Sequence, residues 1–221
     1  MKNYNLDQMV TFLRTVSDIT WGHYAFKNEL LRYRISNEYI DEIIQNAIMY
    51  GEEWAQRIIS NAGTADAQVI LKLFGLSLKE NDLDMTAVPR RFFTQYVRKR
   101  YIEIMIQPID IYSTIYKPPL PEPDQVRTLL IAKEIYHYIE ELHKDEIFSR
   151  TEKFFLCNLD GLKWDSTVKA IGEITAVSFA KYLTGVDFNP FMLDIILLYG
   201  YNAGLAENIF RDITKISEES I

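Results

Sequence analysis

The sequence predicts an α+β fold, mostly helical with one small sheet, on three observations. Apolar residues recur at helical spacing through most of the chain, one middle stretch alternates as strands do, and prolines cluster just after that stretch. With 221 residues and 48% hydrophobic content, the chain can bury a sizeable core without covalent staples.

The elements follow in order. Met9, Val10, Phe12, Leu13 and Val16 predict a first helix from Leu6 to Trp21. A second is expected from Glu38 to Ile59, through Ile40, Ile43, Ile44, Ala47, Ile48, Trp54, Ala55 and Ile58, with Asn37 as its cap. Gly63-Thr64-Ala65-Asp66 reads as a turn in which Thr64 or Asp66 caps a short helix, Ala67 to Phe74. Gly75 to Leu78 then leads into extended chain. The segments from Arg91 to Val97 and from Tyr101 to Gln107 read as neighbouring strands, because Ile102, Ile104 and Ile106 alternate with Glu103, Met105 and Gln107. Pro118, Pro119, Pro121 and Pro123 mark a stiff surface connection. Asp124 is placed as the cap of a helix from about Gln125 to Phe148. Beyond it come a short strand from Lys153 to Leu159, a turn at Asp160-Gly161, and a helix from Trp164 to Leu183 ended by Thr184-Gly185. Asn189-Pro190 then opens an apolar helix through Tyr199, and a last helix runs from Ala203 to Ser217.

Composition excludes some functions. The 24 Lys+Arg against 31 Asp+Glu give a net charge of -7, which disfavours direct nucleic-acid binding, where basic residues must neutralise phosphates. The first residues carry no signal-peptide apolar core, and no stretch approaches the roughly 18 apolar residues of a membrane span. A cytoplasmic protein without a membrane partner is expected. Cys157, the single cysteine, excludes an internal disulfide and a cysteine-based metal cluster, and reads as a small core residue.

The chemistry-bearing stretch is Ala132-Lys133-Glu134-Ile135-Tyr136-His137. It is the zinc-peptidase helix motif His-Glu-x-x-His with one position changed. In that motif two histidines four apart share a zinc ion from one helix face, and the glutamate is general base toward the metal-bound water. Here Glu134 and His137 stand at the base and second-histidine positions, and Lys133 at the first histidine. On the helix alone, Lys133, Glu134, His137, Glu140, Glu141 and Lys144 also fit the polar face of an ordinary amphipathic helix. Glu134 to His137 and Glu140 to His143 are both Glu-x-x-His units, as in di-iron carboxylate bundles. Their offset of six residues turns them about 240° apart on one helix, which disfavours a shared site. His143 is placed near a helix end, and His23 is read as a packed or capping histidine.

Three segments together resemble the ImmA/IrrE family of zinc metallopeptidases: Trp54 to Leu78, with its helix, polar turn and Phe74-Gly75-Leu76 exit; Leu130 to Tyr138; and Glu173 to Leu183, where an acid precedes Ala176, Phe179, Ala180 and Leu183. The resemblance implies a zincin-like fold, with a small sheet beside the active-site helix. It implies three regions in one compact unit: an N-terminal helical extension (1–52), a metallopeptidase-like core (53–185) and C-terminal helices packed on the core (186–221). It also implies that Glu173 is the third metal ligand beside His137, and that the partner or substrate is a protein, such as a transcriptional regulator.

The chain departs from this family at Lys133, whose ammonium group offers a metal no lone pair, and at Thr175, where the family often carries an acid. Lys133 is therefore expected to pair with Glu173 or Glu134 in the metal's place, with no cofactor held and catalysis lost. The alternatives are an active zinc-dependent endopeptidase with unusual ligands, in which Glu134 remains the base, and an unrelated helical interaction protein.

Overall fold

A computed structural model of the chain describes residues 4–27, 29–84, 93–98, 101–159 and 162–219. Its elements in chain order are helices α1 (Leu6–Leu13), α2 (Asp18–Phe26), α3 (Asn37–Ala62) and α4 (Ala67–Leu73), and strands β1 (Ser77–Asn81), β2 (Thr94–Val97) and β3 (Tyr101–Met105). There follow α5 (Ile106–Ile115), α6 (Pro123–Leu142), α7 (Phe148–Thr151), a hairpin of β4 (Phe154–Leu159) and β5 (Leu162–Ser166), α8 (Lys169–Thr184), α9 (Leu193–Tyr199) and α10 (Ala203–Glu219). The architecture is α+β and mostly helical. No helix among the described residues is long and apolar enough to cross a membrane.

β3 lies in the middle of the three-stranded sheet, parallel to β1 and antiparallel to β2, with Tyr96 opposite Ile102. Ile102 and Ile104 are fully buried, as their alternation requires, and α6 packs against β2 and β3. On its other side α6 packs against α8, which in turn makes with α3 the most extensive helix pair of the molecule. α6 is thus covered on two sides, and ten of its residues are buried, Glu134 and Glu140 among them.

Local chemistry sets several boundaries differently from the sequence reading. The first helix is two helices, because Ser17 turns extended and caps α2, its hydroxyl accepting from Thr20 N. Ser36, not Asn37, caps α3. Asp66 caps α4 as expected. β3 stops at Met105, and Ile106 and Gln107 open α5, which strand alternation alone conceals. The proline segment is only partly on the surface, since Leu120 is buried, and Pro123 serves as a first-turn residue of α6 behind Glu122, so Asp124 is not the cap. α6 ends at Leu142 and α7 follows separately. The segment from Leu162 to Ser166, expected to lead into helix, is strand β5, so α8 starts at Lys169. Asn189 accepts from Phe191 N and opens the turn into α9 as expected. The expected turn at Asp160-Gly161, the start of the strand expected from Arg91 and the side chain of Cys157 lie outside the described residues.

α3 runs unbroken through the 52/53 position. Its close approach to α8 rests on Gly51, where a Cβ would stand 2.6 Å from Thr175 O and 2.7 Å from Ser178 Cβ, both on the facing helix. Ser178 Oγ donates to Ile48 O at 2.8 Å and ties the same crossing. Gly51→Ala must therefore push the two helices apart, and it is expected to lower the free energy of unfolding by about 1–3 kcal/mol. Urea denaturation measures this, and an unchanged midpoint would contradict the crossing as described.

Candidate functional site

The face of α6 that carries Leu130, Lys133, Glu134, His137, Glu140 and Glu141 opens into a cleft of about 530 Å³, walled by β2, α8 and the start of α9. These positions follow the three- and four-residue spacing of one helix face, spread over about 16 Å of helix axis.

The charged side chains form a chain of alternating sign. Arg150 Nη2, from α7, lies 3.1 Å from Glu140 Oε2. Glu140 Oε2 lies 3.4 Å from His137 Nδ1, and His137 Nε2 lies 3.6 Å from Glu173 Oε1. Glu173 Oε2 accepts from Lys133 Nζ at 3.2 Å, and Lys133 Nζ stands 3.9 Å from Glu134 Oε1. Glu134 then ends the chain on neutral donors, with Oε1 accepting from Thr94 Oγ1 at 2.8 Å and Oε2 from Tyr96 N at 2.7 Å. Glu134 and Glu140 are 3% and 5% exposed, while the Glu173 side chain, at the mouth, is 45% exposed.

The titration behaviour follows from this order. The Lys133 ammonium holds Glu173 down to about 2 against the opposing effect of burial, with His137 helping. Burial alone would lower Lys133, yet Glu173 and Glu134 outweigh it and raise the ammonium above its usual range. Burial likewise works against His137, but the Glu140 hydrogen bond and the charges of Glu134 and Glu173 raise it. Both ring nitrogens of His137 face carboxylate oxygens, an arrangement that suits the doubly protonated ring because only there are both nitrogens donors. Burial opposes the ionised form of Glu140, and hydrogen bonds from His137 and Ser149 overcome it, leaving the carboxyl below its usual range.

Glu173 reaches the site because α8 presents it one turn from the α6 face, whereas Thr175 is fully buried and donates to Ile171 O at 2.8 Å. Of the two positions weighed in the sequence, only the glutamate therefore faces the cleft. Arg150 and Ser149 are not picked out by the sequence, and Glu140 enters a site there only through the second Glu-x-x-His unit. The signal for Glu140 was present, one turn after His137 on the same face, but its partners come from the separate short helix α7. Gly172 admits Glu140, since a Cβ there would come 2.9 Å from its Oε1.

The remaining histidines lie elsewhere. His23 Nε2 pairs with Asp41 Oδ1 at 2.7 Å, and His143 packs against the Trp54 ring, so the second Glu-x-x-His unit is split and builds no di-iron site.

The donor set does not fit the zinc that the motif implies. Lys133 fills the place of the first histidine, Glu173 accepts from Lys133, and both ring nitrogens of His137 already face carboxylate oxygens. Among the described residues no three His, Cys, Asp or Glu side chains converge as a metal site. The position proposed for the general base is also occupied, because both Glu134 oxygens accept bonds from β2. No family model, curated protein or solved structure matches the chain.

Glu173 ionises more readily in the folded chain than its ordinary value of 4.5. Its stabilising contribution is therefore complete above 4.5 and is lost as pH falls toward about 2. Exposure at the mouth screens the pair and keeps the effect modest. Denaturant midpoints across this window should fall more steeply for the wild-type chain than for Glu173→Gln, and parallel slopes would contradict the ion pair.

Proposed function

We propose that the chain is a metallopeptidase-like protein of the ImmA/IrrE kind, with a zincin-like core in which an ion-pair chain takes the metal's place, and that it acts by binding a protein without cleaving it. The observation that carries this reading is Lys133 Nζ at 3.2 Å from Glu173 Oε2 and 3.9 Å from Glu134 Oε1, with His137 on the other oxygen of Glu173. Lys133, His137 and Glu173, the positions that the resemblance would assign to a zinc site, lie together, and the lysine supplies positive charge among the carboxylates.

The reading has physical support. Two carboxylates and a histidine gathered in a partly desolvated cleft need a compensating cation. A divalent metal supplies two charges there; Lys133 and a protonated His137 together supply the same number. Zinc, when held by such a site, activates water for attack on a carbonyl. In this chain Lys133 orients Glu173, Glu140 and Glu173 flank the two ring nitrogens of His137, and Glu134 fastens β2 to α6 through Tyr96 N. Each Glu134 oxygen already accepts one bond from β2, which ties the position of the base to the sheet. A protein partner, of which a transcriptional regulator is the type the resemblance suggests, then meets a cleft that binds and does not turn over.

Metal analysis after equilibration with zinc tests this reading. The wild-type chain should hold far less than one zinc per molecule, and Lys133→His should gain zinc, because the ammonium is replaced by an imidazole lone pair and His137 is released to ligate. Stoichiometric zinc in the wild type, or chelator-sensitive peptide cleavage that Glu134→Ala abolishes, would overturn it. Failure of Lys133→His to gain metal would show that His137 and Glu173 cannot converge on one ion.

A further inference from the structure

Away from the cleft, the segment that joins α2 to α3 presents two large apolar side chains to solvent. Leu30 and Tyr33 are 91% and 96% exposed, the highest values among the described large hydrophobic residues. Slack in the chain does not account for this. Arg32 N donates to Glu29 O, Arg34 N donates to Leu31 O, and Glu29 Oε2 accepts from Ala170 N at the start of α8. Leu31 packs on the core and Ile35 is buried in it. A turn anchored in this way holds Leu30 and Tyr33 outside, and large apolar groups held in water mark an interaction surface.

Tyr33 also borders a groove of about 1160 Å³ formed with α2, the start of α3 and α10, which shares no lining residue with the cleft. Ile19, Ile35 and Ile216 supply its apolar lining. Its charges are even: Lys27, Arg32 and Lys215 stand against Asp41, Asp212 and Glu219, with His23 paired to Asp41. Lys27 pairs with Asp212 and Lys215 with Glu219, and all four side chains are more than a third exposed. The whole chain carries a net charge of -7, so two copies repel on most approaches. A face of even charge lets two such copies meet without net like charge and share ion pairs across the contact.

We propose that this face binds a second copy of the chain about a two-fold axis, with Tyr33 of each protomer entering the groove of the other. A two-fold contact needs a projection and its receptacle on one patch, and Tyr33 and the groove meet that need. Tyrosine suits the centre of such a contact, with charged pairs at the rim. Leu30 and the thirteen residues of the lining fall short of the roughly 20–30 residues a side of a standard interface, so the dimer is a weak one, in the micromolar range. The inference goes beyond the proposed function and is independent of the charge chain in the cleft.

Sedimentation equilibrium of the full chain from about 5 to 500 µM tests it, and should show monomer and dimer in exchange. Tyr33→Ser should weaken dimerisation about tenfold or more, with an unchanged circular dichroism spectrum because the ring is almost wholly in solvent. Leu73→Ser, at an exposed apolar position of α4, should leave dimerisation unchanged. In a mixture of differently labelled copies, isotope-filtered NOEs should connect the Tyr33 ring of one protomer to the Ile216 methyls of its partner. A chain that stays monomeric throughout would leave the groove to a different protein and overturn the proposal. A dimer indifferent to Tyr33→Ser, or intermolecular NOEs confined to other surfaces, would overturn it as well.

Discussion

The ion pair between Lys133 and Glu173 is the constraint on which the site depends. It joins α6 to α8 at the mouth of the cleft, and Glu173 in turn faces His137 with its other oxygen. Lys133 holds Glu173 low against burial, the Glu140 hydrogen bond with the charges of Glu134 and Glu173 raises His137, and hydrogen bonds with His137 and Ser149 keep Glu140 low against burial. Each step is short-range and each group compensates the next, so removing one member disturbs its neighbours more than its own bond is worth. The chain closes on Arg150 at one end and on the neutral donors of Thr94 and Tyr96 at the other.

The surrounding fold supplies rigidity more than chemistry. α6 is held between the sheet and α8, so its polar residues cannot move to solvent without taking buried Ile131, Ile135 and Ile139 with them. α8 is fixed in turn by its crossing with α3 at Gly51, which places Glu173 over His137. Burial of a charged network is costly and does not by itself favour the folded state over an apolar core of equal volume. What the network supplies is a defined arrangement: a half-open cleft along which charges alternate in sign from Arg150 to Glu134.

The sequence showed the helix face but not its consequences. The four-residue spacing of Lys133 and His137 placed them on one side of α6, while the place of Glu173 on a facing helix came only as what the resemblance of Glu173 to Leu183 implied. Distances between helices are beyond local patterning, so only the structure brings Glu173 within reach of both. Ser149 and Arg150 escaped notice for a related reason. The helix expected to run to Phe148 instead breaks after Leu142, and the break allows α7 to fold back onto Glu140. The other differences are also contextual. Ser17 divides an apolar run that periodicity reads as continuous, and β5 carries residues that read as helix until they pair with β4.

Glu134 shows most directly how one substitution reassigns its neighbours. In the zinc motif this glutamate is useful because a carboxylate oxygen is left free to accept a proton from the metal-bound water. With no positive ion holding water beside it, a carboxylate 3% exposed needs donors from the protein, and β2 provides them at 2.7 and 2.8 Å. Those bonds draw the outer edge of β2 against α6 and use the Tyr96 N–H that a further strand would need. Under the proposed function, a single lysine in place of the first histidine therefore alters three things together: the charge at the centre, the availability of the base and the way a chain can approach the cleft. The first two argue against hydrolysis. The third directs recognition from backbone pairing toward side chains.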